Sequence, residues 1–259
     1  MKKILLAIVV MLLLISLISI GHFSFFSKDY RAEVTNEIDT IELDLAGANA
    51  TILTKNQDYV EAKLKGKGKI SLSKKDDTIE IEYDRRWYEF FNFGGRTELI
   101  ITIPENYNRD LEFDVRSGNI NFELSKDMEL HEFKMDVRSG NIRIDSLQAN
   151  KAELDVNSGN VNIKHVTGQL EIDVSSGNIS IQVDDLIGDI DAEVSSGHIA
   201  LDLPDDSDFT LSGEISSGNI HNRFPLNNEV REKNRLRGTH GTGQYNIDLE
   251  VSSGSIEIK

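Results

Sequence analysis

The chain contains no cysteine, only three prolines and a single tryptophan in 259 residues. Without cysteine it can form no disulfide bond, no thiolate metal site and no thiol nucleophile, and it cannot be lipidated on an N-terminal cysteine. Hydrophobic residues make up 39%, below the roughly 45–50% of ordinary globular domains. A core this thin is typical of repeat proteins, in which each unit buries one narrow stripe.

Basic residues are also scarce, with 28 lysines and arginines against 44 acidic residues and a net charge of −16. Such a surface repels nucleic acid, so we expect no nucleic-acid partner. It attracts cations, cationic peptides and basic protein patches, or it serves solubility alone. The composition is consistent with each of these roles.

The N-terminal segment is a long apolar run. Lys2 and Lys3 precede it, and no further charged residue follows until Lys28. A helix over residues 4–26 would measure about 34 Å, enough to cross a bilayer. Because basic residues favour the cytoplasmic side, we predict an N-terminus inside the cell and the rest of the chain outside it.

The sequence thus divides into three predicted parts: a membrane anchor over residues 1–27, a juxtamembrane linker over residues 28–35 and a repeat domain over residues 36–259. The protein would be a single-pass protein of the cell membrane, held there by its N-terminal helix. Cleavage of a signal peptide after Gly21 is the alternative, although the apolar run is longer than the roughly 7–15 residues of a signal peptide.

A motif of Ser-Gly followed by Asn, His or Ser occurs seven times downstream, with asparagine in five of the copies. The first six glycines are 18 to 22 residues apart, and the last lies 36 residues further on. A period near 20 residues is typical of solenoids. The motif positions are Gly118, Asn119, Gly140, Asn141, Gly159, Asn160, Gly177, Asn178, Gly197, Gly218, Asn219 and Gly254.

Apolar residues alternate with polar ones on both sides of each motif, for example at Ile172 and Val174. This period of two, with many β-branched residues, predicts strands that turn an apolar face inward. We therefore predict an all-β fold, a single parallel β-solenoid of about 20-residue coils. Residues 36–104 are interpreted as less regular coils of the same solenoid, with a degenerate corner at Gly47.

The Ser-Gly-Asn motif is interpreted as the corner of each coil. Glycine allows the positive φ angle that a sharp turn needs, and the serine can hydrogen-bond within the turn. Stacked coils would place the asparagines about 4.8 Å apart, so that their amides form a ladder in chain order from Asn119 to Ser255. On this reasoning Gly177→Val should destabilise the fold, because a β-branched residue resists positive φ.

An acidic residue stands four positions before each motif glycine and predicts an outward column of like charges. Its members are Asp114, Asp136, Asp155, Asp173, Glu193, Glu214 and Glu250. Like charges at strand spacing repel, so solvent, nearby arginines or bound cations must offset them. A solvated face and a stripe for divalent ions or a cationic partner are both consistent with this column.

Several segments together resemble a known family. They are Ile100-Ile-Thr-Ile-Pro104, the Ser-Gly-Asn-Ile corners, Gly241-Thr-Gly243-Gln-Tyr-Asn-Ile and the closing Ser-Ser-Gly-Ser-Ile-Glu-Ile-Lys. Over residues 36–259 the chain resembles the LiaG-like "putative adhesin" family of bacterial envelope proteins. The resemblance implies a parallel β-solenoid on the outer face of the membrane, in some members encoded beside cell-envelope stress systems. It carries over no catalytic residue.

We therefore expect a non-enzymatic protein with a structural or interaction role at the bacterial cell envelope, linked to envelope stress or adhesion, whose partner is an envelope protein or the cell wall. A carbohydrate-active β-helix enzyme and a cation-binding surface stalk are the alternatives. The pairs Asp184-Asp185 and Asp205-Asp206 lack a nearby basic or aromatic subsite, and the histidines are not at ligand spacing. No catalytic, cofactor or metal residue is predicted.

One loop concentrates aromatic and basic residues: Arg85, Arg86, Trp87, Tyr88, Phe90, Phe91 and Phe93. Aromatic rings favour the membrane interface, and arginines favour anionic lipid. The strand region starts only about ten residues after the apolar run. The hypothesis is that this aromatic loop docks the base of the solenoid onto the membrane; a loop that packs against the solenoid or caps it is the alternative.

The docking hypothesis predicts that the fragment Lys28–Lys259 floats with anionic liposomes at low salt. Trp87→Ala combined with Phe91→Ala should abolish flotation, because it removes apolar area that inserts. Added salt should weaken the binding of the parent, since it screens the arginine contacts. A parent that fails to float, or a double variant that floats equally well, would show that the loop packs on the solenoid instead.

Overall fold

The computed structural model describes residues 28–85 and 97–259. The predicted anchor and residues 86–96 of the aromatic loop lie outside the described residues. Within the two described ranges the regular structure is entirely β-strand, which confirms the all-β prediction. No helix in these ranges is long and apolar enough to span a membrane.

In chain order the described strands are β1 (Lys28–Glu33), β2 (Thr40–Lys55), β3 (Tyr59–Lys65), β4 (Lys69–Lys75), β5 (Thr78–Asp84), β6 (Glu98–Pro104), β7 (Asp110–Glu123), β8 (Glu129–Val137), β9 (Asn141–Ile144), β10 (Leu147–Val156), β11 (Asn160–Val174), β12 (Asn178–Asp185), β13 (Ile190–Val194), β14 (His198–Asp202), β15 (Phe209–Ile215), β16 (Asn219–Asn222), β17 (Asn227–Glu232), β18 (Arg235–His240), β19 (Tyr245–Val251) and β20 (Ser255–Ile258).

A regular coil consists of a strand, a corner and a second strand. In β13 the residues Ile190, Ala192 and Val194 are buried, whereas Asp191 and Glu193 between them are exposed. Alternate side chains of a strand point to opposite faces, so the apolar set faces the inside of the coil. Stacking of the coils joins these inner side chains into one continuous core.

The strands stack in two parallel ladders, one on each side of the corners. The first ladder holds the strands before the corners, in the spatial order β5, β2, β7, β8, β10, β11, β13, β19 and β15. The second ladder holds the strands after the corners, in the order β6, β2, β7, β9, β11, β12, β14, β20 and β16. This is the parallel solenoid that the repeat predicts.

The order of the layers departs from the order of the chain near both ends. β2, the first coil, lies between the coil β5–β6 and β7. β19 and β20, the last coil, lie between the coils β13–β14 and β15–β16. The prediction of a ladder in chain order is therefore wrong at this point: Ser255 lies between His198 and Asn219. The corner motif is nearly the same in every coil, so it specifies how two coils pair but not which coils become neighbours.

Antiparallel strands close both ends, where the sequence predicted only parallel coils. At the N-terminal end β3 pairs with β6, β1 with β3, and β4 with β5. At the other end β18 pairs with β15, and β17 with β18. The last strand of a ladder exposes unpaired backbone groups, which a hairpin covers without needing another coil. Because β1 occupies residues 28–33, the segment predicted as a linker is mostly a paired strand.

Every corner glycine allows the close stacking of neighbouring coils, whereas only some of these glycines have an unusual φ angle. φ is positive at the motif glycines Gly118, Gly140 and Gly159, but not at Gly177. The prediction of a positive φ at Gly177 is therefore wrong. A Cβ atom there would instead lie 2.8 Å from Val156 Cγ1 and 2.9 Å from the carbonyl oxygen of Gly159.

The carbonyl oxygen that excludes a Cβ also holds the coils together. The oxygen of Gly159 accepts a hydrogen bond from the backbone N–H of Asn178 at 2.8 Å, and that of Gly177 accepts one from His198 at 3.0 Å. A Cβ on Gly197 would meet the Gly177 oxygen at far less than 3.0 Å, a separation that real Cβ atoms essentially never show. Glycine is thus required by the contact between coils.

We expect Gly197→Ala to destabilise the protein more than Gly177→Ala, because its Cβ would meet a backbone oxygen more closely. Overpacking costs about 1–3 kcal/mol, and a backbone clash cannot be relieved by a rotamer change. We therefore expect a loss of about 3 kcal/mol for Gly197→Ala and about 1 kcal/mol for Gly177→Ala, measured by urea unfolding. The exposed Ser196→Ala is the control; a Gly197 variant as stable as this control would contradict the stacking.

Candidate functional site

Asparagine side chains form a hydrogen-bonded ladder along the corners. The side-chain amide of each donates to the side-chain oxygen of the asparagine one coil nearer the N-terminal end. The donor–acceptor pairs are Asn119 to Asn49 at 2.9 Å, Asn141 to Asn119 at 3.0 Å, Asn160 to Asn141 at 3.0 Å and Asn178 to Asn160 at 3.1 Å. All these amides point the same way, so neighbouring bonds polarise and strengthen one another. The ladder's contacts are therefore structural.

Asn49 is a member of this ladder that the sequence reasoning missed. Residues 45–49 read Leu-Ala-Gly-Ala-Asn, with the glycine one position early and no serine. β2 nevertheless pairs with β7 through its corner after a register shift, so that Ala48 faces Gly118 and Asn49 faces Asn119. An asparagine followed by alternating apolar residues was the available signal.

The ladder changes its chemistry toward the C-terminal end. His198 replaces asparagine there, and its Nδ1 lies 2.8 Å from the hydroxyl oxygen of Ser255 in the inserted coil. The column of corner side chains thus continues from His198 to Ser255, although their coils are not consecutive in the chain.

The outward side of the first ladder is an acidic face of two rows. In spatial order the first row contains Glu82, Asp44, Asp114, Asp136, Asp155, Asp173, Glu193, Glu250 and Glu214. The second row, two residues earlier in each strand, contains Glu80, Glu42, Glu112, Lys134, Glu153, Glu171, Asp191 and Asp248. The sequence predicted seven members of the first row but not the second row.

Basic side chains offset this charge toward the N-terminal end. Arg116 pairs with Asp44, and Arg138 lies 3.5 Å from Asp114. Lys151 contacts two glutamates of the second row. Exposed pairs of this kind contribute about 0.2–1 kcal/mol each, which is comparable to the repulsion between facing like charges.

The acidic face has no such compensation further along. The distal acidic patch consists of Asp173, Asp191, Glu193, Asp248 and Glu250, and within the described chain none of these forms an ion pair. Burial, followed by repulsion from Asp155, Glu171 and Asp191, raises the pKa of Asp173. Burial, followed by repulsion from Asp248 and Glu171, raises the pKa of Asp191. The fold therefore holds these carboxylates against their mutual repulsion.

Charge is distributed unevenly over the whole solenoid. Of the described residues, 28–85 and 97–109 carry 11 basic and 15 acidic side chains, a net charge of −4. Residues 110–259 carry 13 basic and 28 acidic side chains, a net charge of −15. Since the first range builds the N-terminal end of the ladders and the second range builds the rest, the molecule has a nearly neutral base and a strongly acidic body.

The carboxylate pairs considered for catalysis lie at the surface. Asp184 is 2.9 Å from His165 Nδ1 and shares an open cleft of about 300 Å³ with Asp202 and Pro204. Asp205 is exposed in the following turn. No aromatic side chain lines this cleft. Across residues 28–85 and 97–259, no three histidine, aspartate or glutamate side chains are arranged to hold a metal ion.

In the sequence the aromatic loop lies between β5 and β6, the two strands of the outermost parallel coil. Its flanking residues Arg85 and Thr97 stand where the next coil, β2, has its corner. Of the interaction residues predicted from sequence, Arg85 is described, whereas Arg86, Trp87, Tyr88, Phe90, Phe91 and Phe93 lie outside the described residues. Membrane docking by this loop stays a prediction.

The similarity to known proteins covers nearly all of the described solenoid. The family model Toastrack DUF4097 matches residues 38–259. No curated protein is detectably similar to the chain.

Solved structures give distant similarities. The chain is 14% identical to a "putative adhesin" from Parabacteroides distasonis over 91% of this chain and 98% of that chain, with a TM-score of 0.44. A "putative adhesin" from Bacteroides fragilis gives the same identity and coverage with a TM-score of 0.42. A "putative lipid binding protein" from Parabacteroides distasonis gives 12% identity over 90% of this chain and 97% of that chain, with a TM-score of 0.40.

The opposite pKa shifts of Asp173 and Asp145 predict opposite effects of neutralising each aspartate. The raised pKa of Asp173 means that its contribution to stability is complete below the ordinary aspartate pKa and is lost as pH rises through the raised value. Asp173→Asn should therefore stabilise the protein by about 0.5 kcal/mol at pH 7, and the gain should vanish below about pH 3.

Asp145 provides the matched control, because a hydrogen bond from Lys164, together with the charges of Lys164 and Arg143, lowers its pKa. Its contribution is present above the ordinary aspartate pKa and is lost as pH falls through the lowered value. Asp145→Asn should therefore destabilise the protein at pH 7. Urea unfolding of both variants at the two pH values measures this, and a change of the same sign in both at pH 7 would contradict the electrostatic account.

Proposed function

The chain belongs to the Toastrack DUF4097 family, and on that premise we propose that it is a non-enzymatic, membrane-anchored protein of the bacterial cell envelope. Residues 1–27 anchor it, and the solenoid lies outside the cytoplasmic membrane. Its role is structural or interactive, with an envelope protein or the cell wall as partner. Within the family we place it with the LiaG-like members, whose resemblance links it to envelope stress and adhesion.

The observation that carries this proposal is the uneven charge of the solenoid. The nearly neutral base is built from the residues that follow the anchor in sequence, and the distal acidic patch lies toward the other end of the ladders. The cytoplasmic membrane presents anionic lipid, which repels an acidic surface within about a Debye length. This charge distribution favours an orientation with the base at the membrane and the distal acidic patch held away from it.

A partner of the distal acidic patch would be basic. Parallel strands hold the carboxylates of each row about 4.8 Å apart, and a cationic group placed among them would relieve the repulsion that helps to raise the pKa of Asp173 and Asp191. A lysine- or arginine-rich segment of an envelope protein has this chemistry, because its charges can follow the rows.

A cation-binding stalk is an alternative that uses the same face. It predicts that calcium raises the melting temperature more than monovalent salt of equal ionic strength does. A surface for a basic partner predicts instead that a lysine-rich peptide does so, and that calcium acts no differently from other salt. The carbohydrate-active alternative would use the cleft of Asp184 and Asp202, and turnover of an envelope glycan by the purified protein would establish it.

Cysteine labelling in living cells tests the proposed topology, since the chain has no cysteine of its own. Asn162→Cys puts a thiol on an exposed residue of the solenoid, and a membrane-impermeant maleimide should label it in intact spheroplasts. A cysteine inserted after Met1 should react only after lysis, with the full-length protein in the membrane fraction. Labelling of Asn162→Cys only after lysis would overturn the proposal, and a chain beginning at His22 would replace the anchor by a cleaved signal peptide.

A further inference from the structure

The last coil of the sequence is hydrogen-bonded to the fold on both of its sides. We name residues 245–258, which form β19 and β20, the C-terminal coil. On one side the N–H of Ser253 donates to the oxygen of Ser195 at 2.7 Å, and on the other the N–H of Ser217 donates to the oxygen of Ser252 at 2.7 Å. Its inward side chains are buried in the common core.

The two coils on either side of the C-terminal coil do not pair with each other in the described structure. β13 pairs with β11 and β19, whereas β15 pairs with β18 and β19. Along the chain these coils are joined by residues 203–208. Residues 209–222 come before the C-terminal coil in sequence, yet a gap one layer wide, which this coil fills, separates them from β13 and β14. We name this gap the slot.

The slot accepts a narrowly defined segment. Each of its walls is an unpaired strand edge until a coil fills it. The filling coil must have glycine at its corner, because a Cβ on Gly254 would meet the oxygen of Gly197 and a Cβ on Gly218 would meet the oxygen of Gly254. It must also bring alternating apolar side chains on both sides of that corner. The C-terminal coil of a second copy of this chain meets each of these conditions.

A short turn joins the C-terminal coil to β18. Gly241 and Gly243 in this turn have φ angles of 66° and 81°. Asp208, immediately before β15, accepts hydrogen bonds from the hydroxyl of Thr242 at 2.6 Å and from the N–H of Gln244 at 3.0 Å. Because Asp208 stands at the entrance of the slot, it can hold the start of whichever copy enters. Rotation at Gly241, which precedes these contacts, would direct the coil toward a different molecule.

We propose that the C-terminal coil is an exchange element: residues 245–258 of one copy fill the slot of a second copy and join two chains in a dimer. The ladder hydrogen bonds, the glycine contacts and the buried side chains are the same in the exchanged and unexchanged forms. The two forms differ at the turn that precedes Thr242. Exchange of an identical element in this way is a known route from monomer to dimer.

Single cysteines in two full-length chains test the exchange. Ala200 in β14 faces Glu257 in β20 across the slot wall, about 4.8 Å away as neighbouring strands are. That distance lies within the Cα range of a disulfide. Chains with Ala200→Cys and chains with Glu257→Cys, carrying tags of different mass, are expressed together and oxidised in isolated membranes. Exchange predicts a disulfide-linked heterodimer.

The matched control replaces Ala200→Cys by Ser180→Cys, which lies one layer further from Glu257, about 9.6 Å away and beyond disulfide reach. We expect the Ala200→Cys mixture to give several-fold more heterodimer than the control mixture. Equal yields from the two mixtures would overturn the proposal.

A double variant in a single chain checks the slot itself. Ala200→Cys with Glu257→Cys should close an intrachain disulfide in the monomer, because the two residues face each other in the inserted order. If Ala200→Cys closes instead with His221→Cys, the coils stack in chain order, no slot exists and the proposal fails.

Discussion

The carbonyl oxygen of a corner glycine accepts a hydrogen bond from the backbone of the next coil. The same oxygen lies so close to the corner glycine of that coil that a Cβ atom there would collide with it. This contact fixes both the spacing and the register of successive coils. Once the register is fixed, every position of the repeat becomes a column along the solenoid. The asparagine ladder, the buried aliphatic columns and the two acidic rows are therefore consequences of one backbone contact that requires glycine.

The same register has opposite energetic effects on amides and on carboxylates. Aligned asparagines donate and accept in turn, so each added coil adds a favourable hydrogen bond. Aligned carboxylates can only repel, and the protein offsets this with arginines and lysines near the base but not at the distal acidic patch. Selection for stability alone would replace some of these carboxylates and so remove the repulsion. Residues that lower stability in this way are expected where a surface serves a function.

Much of this fold follows from the sequence because a solenoid repeats its local rules. The alternation around Ile172 and Val174 predicts the strands, and the spacing of the glycines predicts the corners. The role of Asn49 was not predicted because its corner has the glycine one position early and no serine. The second acidic row was not predicted because it lies outside the corner motif, whose nearest carboxylate belongs to the first row; Glu171 and Asp191 stand two residues earlier in their strands. Layer order and the antiparallel ends could not be predicted, since nearly identical motifs pair equally well in several orders.

The exceptions to chain order share a physical logic. The first and last coils of the described chain, β2 and β19–β20, both lie between two layers and have ladder hydrogen bonds on each side. The outermost parallel layers, β5–β6 and β15–β16, come from the interior of the described chain and are flanked by hairpins. The end of a ladder frays because its last strand has a neighbour on one side only. The hairpins pair the outer edges of β5, β6 and β15 and so oppose fraying there. The last coil packs between two layers that are built from earlier parts of the chain, and the proposed exchange uses this place.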